Sequence, residues 1–357
     1  MRVLEIETLA EMDRRVGAGA TTARGWHVQS VDLRERTDAL AGLDVTGAVF
    51  LGCRFADGVD EDVRRRGGLV FPAVPDVPFD AYRAELYSPD ELYADLDGSY
   101  ASTPDARVYA WSHGGRSIDR TLAMALHDHA VDDALVEYAR GRRVVGVMGG
   151  HAAERGTDGY RKAARLGRLL GRGATVATGG GPGAMEAANL GAWLADHPDG
   201  DLDSAITDLA AVPSFAPDIT AWARAGMAVR ARFGPGRDSL GVPTWFYGHE
   251  PPNVFADHVA KYFRNAIREE VLLRICRSGV VFLPGAAGTV QEVFQSACEN
   301  YYAGPADVAP MVLVGRRHWT ALPVWPLVQR LARDRAMATR VHLVDDIDDV
   351  PALLEDR

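Results

Sequence analysis

A chain of 357 residues, 47% hydrophobic and 25% charged, can bury a sizeable core and is long enough for two or three domain-sized units, or one with a large appendage. Its 39 Lys+Arg against 49 Asp+Glu leave a formal charge of -10, which speaks against a protein that tracks nucleic-acid phosphates or holds an anionic membrane by bulk charge. Small-molecule work is the class left. Cys53, Cys276 and Cys298 have no CxxC spacing, so neither a disulfide framework nor a zinc site is expected, and they read as buried thiols. The acidic N-terminus and the lack of a window near the roughly 18 apolar residues of a membrane span predict a cytoplasmic protein.

In chain order, residues 1 to about 100 contain short apolar runs, Gly47–Cys53 and Gly68–Val74, broken by Gly, Pro and Asp clusters, and predict short strands with loops. The polar stretch Asp97–Asp105 is the expected linker, dividing a region 1–105 from a domain 106–357. A helix is expected over Asp119–Arg140. From Arg142 the pattern becomes strand, glycine turn, helix: Val144–Met148 into Gly149-Gly150-His151 and a helix Tyr160–Leu170, then Ala174–Thr178 into Gly179-Gly-Gly-Pro-Gly183 and a helix Met185–Leu194. That is a βαβα unit, so the expected class is α/β: a doubly wound, Rossmann-like parallel sheet with helices on both faces, plus a smaller N-terminal α/β region. Residues about 199–240 read as a helical insertion. After it a strand Pro243–Tyr247, a long helix Val254–Cys276, a strand Gly279–Leu283, a glycine turn at 285–288, a helix from Thr289, a final strand Met311–Val314 and a helix about Pro326–Arg333 are expected.

Three glycine turns that follow strands and precede helices are places where backbone N–H groups and a helix dipole can hold a phosphate. Gly179–Gly183 does not fit GxGxxG, and no Gly-Lys dipeptide exists in the chain, so dinucleotide and Walker readings fall away. Pro284-Gly-Ala-Ala-Gly-Thr-Val-Gln-Glu292 is more specific, because an anion in the loop accounts for Gly285, Gly288 and the Thr289 hydroxyl together. Thr289 and Glu292 also have the spacing of a capping box, which is the competing structural explanation.

Gly179-Gly-Gly-Pro-Gly-Ala-Met-Glu-Ala187 with Pro284–Glu292 resembles the paired motifs GGGxxGxM and PGGxGTxxE of the Lonely Guy (LOG) family, over roughly residues 140 to 320. That family holds cytokinin-activating phosphoribohydrolases, bacterial nucleoside-monophosphate nucleosidases and proteins long labelled lysine decarboxylases. The resemblance implies cleavage of the N-glycosidic bond of a nucleoside 5′-monophosphate such as AMP, giving free base and ribose 5-phosphate. No metal and no cofactor are implied, and neither a nucleic-acid nor a membrane partner; the chain is expected as a homodimer or higher homo-oligomer. By the same resemblance Glu292 and an arginine form the catalytic pair. Counting back from Pro284 puts the arginine at Glu269, one place off Arg268, which is taken as the candidate because its helix leads into the motif strand. The nucleotide is expected against Gly180, Gly181, Gly183, Met185, Glu186, Gly285, Ala286, Gly288 and Thr289, with Gly149, Gly150 and His151 as a rim; Glu186 is expected near the sugar. Ala286 stands where the family has its second glycine.

Other residues are weighed against these. Lys261, Arg264 and Arg268 share one helical face by spacing and otherwise read as a solvated basic stripe. His127-Asp-His129 lies on a helix where i and i+2 diverge, which disfavours a metal site. Trp245–Asn253 is an aromatic loop able to stack a base or simply to pack. A Schiff-base lysine would have to be Lys162 or Lys261, the two lysines of the chain, and neither has a motif around it. The alternative to hydrolysis is a protein that binds or senses a nucleotide without turnover.

Overall fold

The computed structural model describes residues 4–115, 117–247 and 250–355. The chain forms two compact units: residues up to Leu86 with Trp111–Ala134, and Tyr87–Ala110 with the chain from Leu135 onward.

The first unit has four parallel strands in the order β1 (Leu4–Ile6), β2 (Trp26–Gln29), β3 (Val49–Leu51) and β4 (Leu69–Phe71). Between them run α1 (Leu9–Gly17), α2 (Thr37–Gly42) and α3 (Val59–Arg65), so the region is α/β as its class predicts, although its local pattern reads as strands and loops alone. The helical signal is present but short. Leu9, Met12 and Val16 share one face of α1, and the Thr8 hydroxyl caps it by accepting from the Glu11 N–H at 3.2 Å. In α3 the acidic residues Asp60, Glu61 and Asp62 fill the first turn and Arg64 and Arg65 the last, as the helix dipole favours. The core under the sheet is built from Ile6, Met12, Val28, Leu40, Phe50 and Val63.

The second unit begins with α4 (Pro89–Leu92) and the start of α5 (Pro104–Ser112); α6 (Ile118–Ala139) leads into it. Residues 87–105, expected with the N-terminal region, belong here for a physical reason. Tyr87 bridges Val259, the Tyr93 hydroxyl donates to the Pro252 carbonyl at 2.5 Å, and buried Asp105 accepts from Trp245 Nε1 at 2.8 Å and pairs with Lys261 Nζ at 2.6 Å. A stretch that looks polar and linker-like from composition is held by these buried bonds.

Seven parallel strands follow in the order β11-β10-β9-β5-β6-β7-β8. They are β5 (Val144–Met148), β6 (Thr175–Thr178), β7 (Leu240–Gly241), β8 (His258–Val259), β9 (Val280–Phe282), β10 (Met311–Val314) and β11 (Val341–Val344). The helices are α7 (Asp158–Gly171), α8 (Ala184–Trp193), α9 (Asp199–Leu209), α10 (Ile219–Phe233), α11 (Asn265–Ile275), α12 (Ala287–Tyr302), α13 (Arg316–Ala321), α14 (Val324–Ala332) and α15 (Val350–Glu355). The doubly wound α/β class is thus present, and β5, β9 and β10 are buried along their whole length, as strands covered on both faces are. Helices α7 and α8 cross with their backbones almost touching: a Cβ on Gly167 or Gly191 would fall on the carbonyl of Ala188 or Ala164.

Three elements differ from expectation. The strand sought at Pro243–Tyr247 begins earlier, at Leu240–Gly241; Val242 makes the last bond toward β6, to Thr178 at 2.9 Å, since Pro243 has no N–H to continue that side, while Thr244 still bridges Tyr262 on the other. The long helix Val254–Cys276 is instead extended chain with β8, and helical only from Asn265. Val254, Phe255, Ala256, Val259, Ala260 and Tyr262 are all buried, which suits a strand enclosed on both faces rather than a one-faced surface helix. The sheet also does not end at Met311–Val314, since Val341–Val344 adds a further edge strand in register with it. The insertion after residue 199 is helical, as α9 and α10. Cys53 and Cys276 are buried, but Cys298 is exposed. Among the described residues no helix is long and apolar enough to cross a membrane.

Candidate functional site

In a parallel sheet all strand carboxyl ends share one edge, and a crevice opens where successive strands leave in opposite directions. Here that point lies between β5 and β9, because β6 and β7 extend to one side and β10 and β11 to the other. The three glycine turns stand at this edge: 149–151 after β5, 179–183 after β6 and 284–288 after β9.

They press on one another. Gly183 has φ +74°, and a Cβ there would come within 2.5 Å of the His151 carbonyl oxygen and 2.8 Å of that of Gly150; Ala184 N–H donates to Gly150 at 3.1 Å. A Cβ on Gly150 would approach Gly285 Cα at 3.6 Å, so the first turn spans the other two. The second turn is fixed by a buried polar network. Thr178 Oγ1 donates to Asn189 Oδ1 at 2.7 Å and accepts from Gly180 N–H at 2.9 Å, while Asn253 Nδ2 donates to the Gly181 carbonyl at 3.2 Å and to Asn189 at 3.1 Å. Met185 lies beneath, with its sulfur 2.8 Å from where Gly179 would carry a Cβ.

The third turn meets the positive end of α12, whose first-turn N–H groups have no intrahelical acceptor. Ala286 is the N-cap residue and its side chain makes no cap bond, so Thr289 and Glu292 do not form a capping box; Thr289 lies in the first turn, buried, with its hydroxyl pressed against Gly285. Gly288 faces open space, so neither crowding nor backbone angle explains a residue that costs a helix about 1 kcal/mol relative to Ala. Ala286, the departure from the family pattern, is exposed at φ -99°, an ordinary angle for alanine. His318 Nε2 lies 3.1 Å from the Gly285 carbonyl oxygen and 3.4 Å from its nitrogen, a neighbour that sequence spacing does not reveal. Because Thr289 does not cap, Thr289→Val is expected to weaken phosphate-ligand binding by about tenfold, the worth of one bond to a charged group, without lowering Tm. Calorimetric titration and thermal melting check the two halves separately.

Arg268, on α11, and Glu292, on α12, face each other with Nη1 3.7 Å from Oε1. Arg268 Nη2 donates to Asn265 Oδ1 at 2.9 Å, its Nη1 lies 3.6 Å from the Cβ position of Gly179, and its Nε is buried without a hydrogen-bond partner. Arg268 therefore reaches the second glycine turn while holding the carboxylate beside the third. Glu269, where the motif count falls, also lies by Arg268, its Oε1 3.8 Å from Nη2, but is itself tied up, accepting from Asn265 Nδ2 at 2.7 Å and from Gln291. Burial pushes the Glu292 carboxyl up to about 7, with Glu269 adding to the rise and Arg268 opposing it. A group so poised can take or give a proton near neutrality. Its ionisation opposes folding, so its stabilising contribution is complete below about 4.5 and is lost as pH rises toward 7. Stability of Glu292→Gln, measured by denaturant unfolding, is expected to lack that loss.

The other residues divide. Glu186 is buried in an ion pair: Arg155 Nη2 lies 2.5 Å from its Oε1 and Arg155 Nε 3.0 Å from its Oε2, and Arg155 in turn lies 4.5 Å over the Trp222 ring. The partner is 31 residues away, so motif reading alone misses it. Lys261 is off the helix, Arg264 is the N-cap of α11, and Arg268 is the member of that trio at the site. Both lysines are engaged by other groups, Lys261 with Asp105 and Lys162 with the Asp345 carbonyl at 2.6 Å. His127 is buried and His129 exposed, so the two diverge as their spacing predicts. In the aromatic loop Trp245 is buried against Asp105, whereas Phe246 and Tyr247 are exposed, and the Tyr247 hydroxyl accepts from Asn265 Nδ2 at 3.2 Å. Gly248 and His249 lie outside the described residues. Glu250, missed by sequence reading, sits 3.5 Å from His151 Nδ1.

No protein-family model and no curated protein matches the chain. Among solved structures it is similar to the molybdenum cofactor binding protein of the phototrophic bacterium Rippkaea orientalis, at 17% identity over 60% of this chain and 97% of that one with a TM-score of 0.39. It is also similar to the molybdenum cofactor carrier protein of Chlamydomonas reinhardtii, at 18% identity over 60% of this chain and 96% of that one with a TM-score of 0.37.

Proposed function

We propose that the second unit hydrolyses the N-glycosidic bond of a nucleoside 5′-monophosphate such as AMP, releasing free base and ribose 5-phosphate. The observation that carries this reading is the Arg268–Glu292 pair at the switch-point crevice, one helical turn from Thr289 and its exposed first-turn amides. The phosphate binds across Gly285–Thr289, where helix dipole and amides favour an anion. That seat brings the sugar to Glu292. As the base departs with the electrons of the C1′–N bond, positive charge develops at C1′ and O4′; the Glu292 carboxylate stabilises it and accepts one proton of the water whose oxygen bonds C1′, and a proton then passes through Glu292 and solvent to the departed base nitrogen, leaving Glu292 ionised again. Arg268 holds Glu292 in place and adds a cation that discourages its protonation. The exposed Phe246 and Tyr247 rings are the surfaces on which a base can stack.

Chromatography of free base after incubation with a panel of nucleoside monophosphates tests the reading. Because Glu292 must be ionised to act in this way, kcat/KM is expected to rise with pH through about 7. Tight monophosphate binding with no base released from any member of the panel leaves a nucleotide-binding protein without turnover.

A further inference from the structure

Glu250 is a carboxylate at the crevice that this mechanism does not use. Glu250 Oε2 lies 3.6 Å from the point where Gly181 would carry a Cβ, beside the Met185 methyl at 3.0 Å, so it meets the second glycine turn. The placement is built: three residues on, Asn253 donates its N–H to the Gly180 carbonyl at 2.8 Å and its Nδ2 to that of Gly181 at 3.2 Å, tying the segment to the turn. Glu250 Oε1 is 3.5 Å from His151 Nδ1, and both side chains are open to solvent, 39% and 59% exposed.

The chemistry of a ligand for this carboxylate is narrow. An ionised carboxylate only accepts, with two oxygens, and repels phosphate, so what approaches it must offer hydroxyl or amino hydrogens. Arg268 touches the same turn at Gly179, two residues and at most ~7 Å of chain away. Glu250 and the Arg268–Glu292 pair therefore meet the same glycine turn, from Gly181 and Gly179 respectively. A group bound with C1′ at Glu292 and its phosphate on α12 presents the 2′- and 3′-hydroxyls as the donors of its sugar. Carboxylates meet ribose hydroxyls in this way at other switch-point sites.

Resting on the proposed nucleotide reading, we infer that Glu250, oriented by His151, accepts from the ribose cis-diol and restricts the site to ribonucleotides. The consequence is a sugar preference separable from turnover. Equilibrium titration of wild type and Glu250→Ala with AMP, 2′-deoxyAMP and inosine 5′-monophosphate tests it, with melting curves as a fold control. Wild type is expected to bind AMP about tenfold or more tightly than 2′-deoxyAMP, the worth of a hydrogen bond to a charged group. Glu250→Ala should remove that preference by weakening AMP alone, and His151→Ala should reduce it in part. Equal affinity of wild type for AMP and 2′-deoxyAMP overturns the inference, as does a Glu250→Ala protein that weakens both equally. Loss of AMP-over-inosine-monophosphate preference in Glu250→Ala, with the sugar preference intact, reassigns Glu250 to the base and overturns it too. If the sugar preference is present and no base is ever released, the diol contact stands and hydrolysis falls; if no monophosphate binds, both fall together.

Discussion

Glu292→Gln is expected to lower release of free base by a factor on the order of 100 or more while leaving monophosphate affinity within about twofold. The substitution keeps shape, and the residue lies beyond the first turn of α12, so no cap is lost. What disappears is the charge beside the developing cation and the acceptor for the water proton. The rise of kcat/KM through neutral pH should vanish with it. Arg268→Ala should behave differently, weakening both binding and turnover, because its guanidinium reaches Gly179 as well as Glu292. Steady-state kinetics with a parallel titration separates the two patterns. A Glu292→Gln protein as fast as wild type transfers the role to Glu250, the other carboxylate that looks into the crevice.

Lys261→Met is expected to destabilise the second unit by about 3–5 kcal/mol, the usual result of removing one member of a buried ion pair. Lys261 and Asp105 are both essentially inaccessible and 2.6 Å apart, and burial of the amine lowers its pKa while the Asp105 carboxylate opposes the fall. Without the ammonium, Asp105 keeps its bonds from Trp245 Nε1 and the Tyr100 hydroxyl but stands charged in an apolar surround. A Tm drop of about 10 °C follows from that energy for a unit of this size. The double variant Lys261→Met with Asp105→Asn should recover part of it, since the uncompensated charge is gone. Calorimetric melting of the three proteins checks the sign and the order. Unchanged melting in Lys261→Met contradicts a structural role for this lysine.

The parts of the fold that could be read in the sequence are those with an unmistakable local pattern. Val144–Met148, Gly279–Leu283 and Met311–Val314 are continuous apolar runs ended by glycine turns or loops, which strands buried on both faces produce, and the structure has strands there. Glu292 and Arg268 were named through the resemblance, which the spacing from Gly285 and the helix feeding β9 fitted to this chain, and the structure sets them 3.7 Å apart. What escaped reading depends on partners distant in the chain. Glu186 looks like a site residue beside Gly183 until Arg155 is found against it. Asp105 looks like linker until Lys261, 156 residues away, reaches it. Val254–Arg264 reads as helix because burial on both faces removes the alternation that betrays a half-exposed strand. Glu250 was hidden for a simpler cause: it follows a Gly-His step in an irregular loop, where no periodicity assigns a side chain to a side.

A crystal structure of Glu292→Gln with AMP bears most directly on the central claim. The expected result is the 5′-phosphate against the N–H groups at the start of α12 and the Thr289 hydroxyl, C1′ next to Gln at position 292, and Arg268 within hydrogen-bond reach of the substituted side chain. A nucleotide bound away from the β5/β9 crevice, or bound there with its phosphate elsewhere and C1′ out of reach of residue 292, contradicts it.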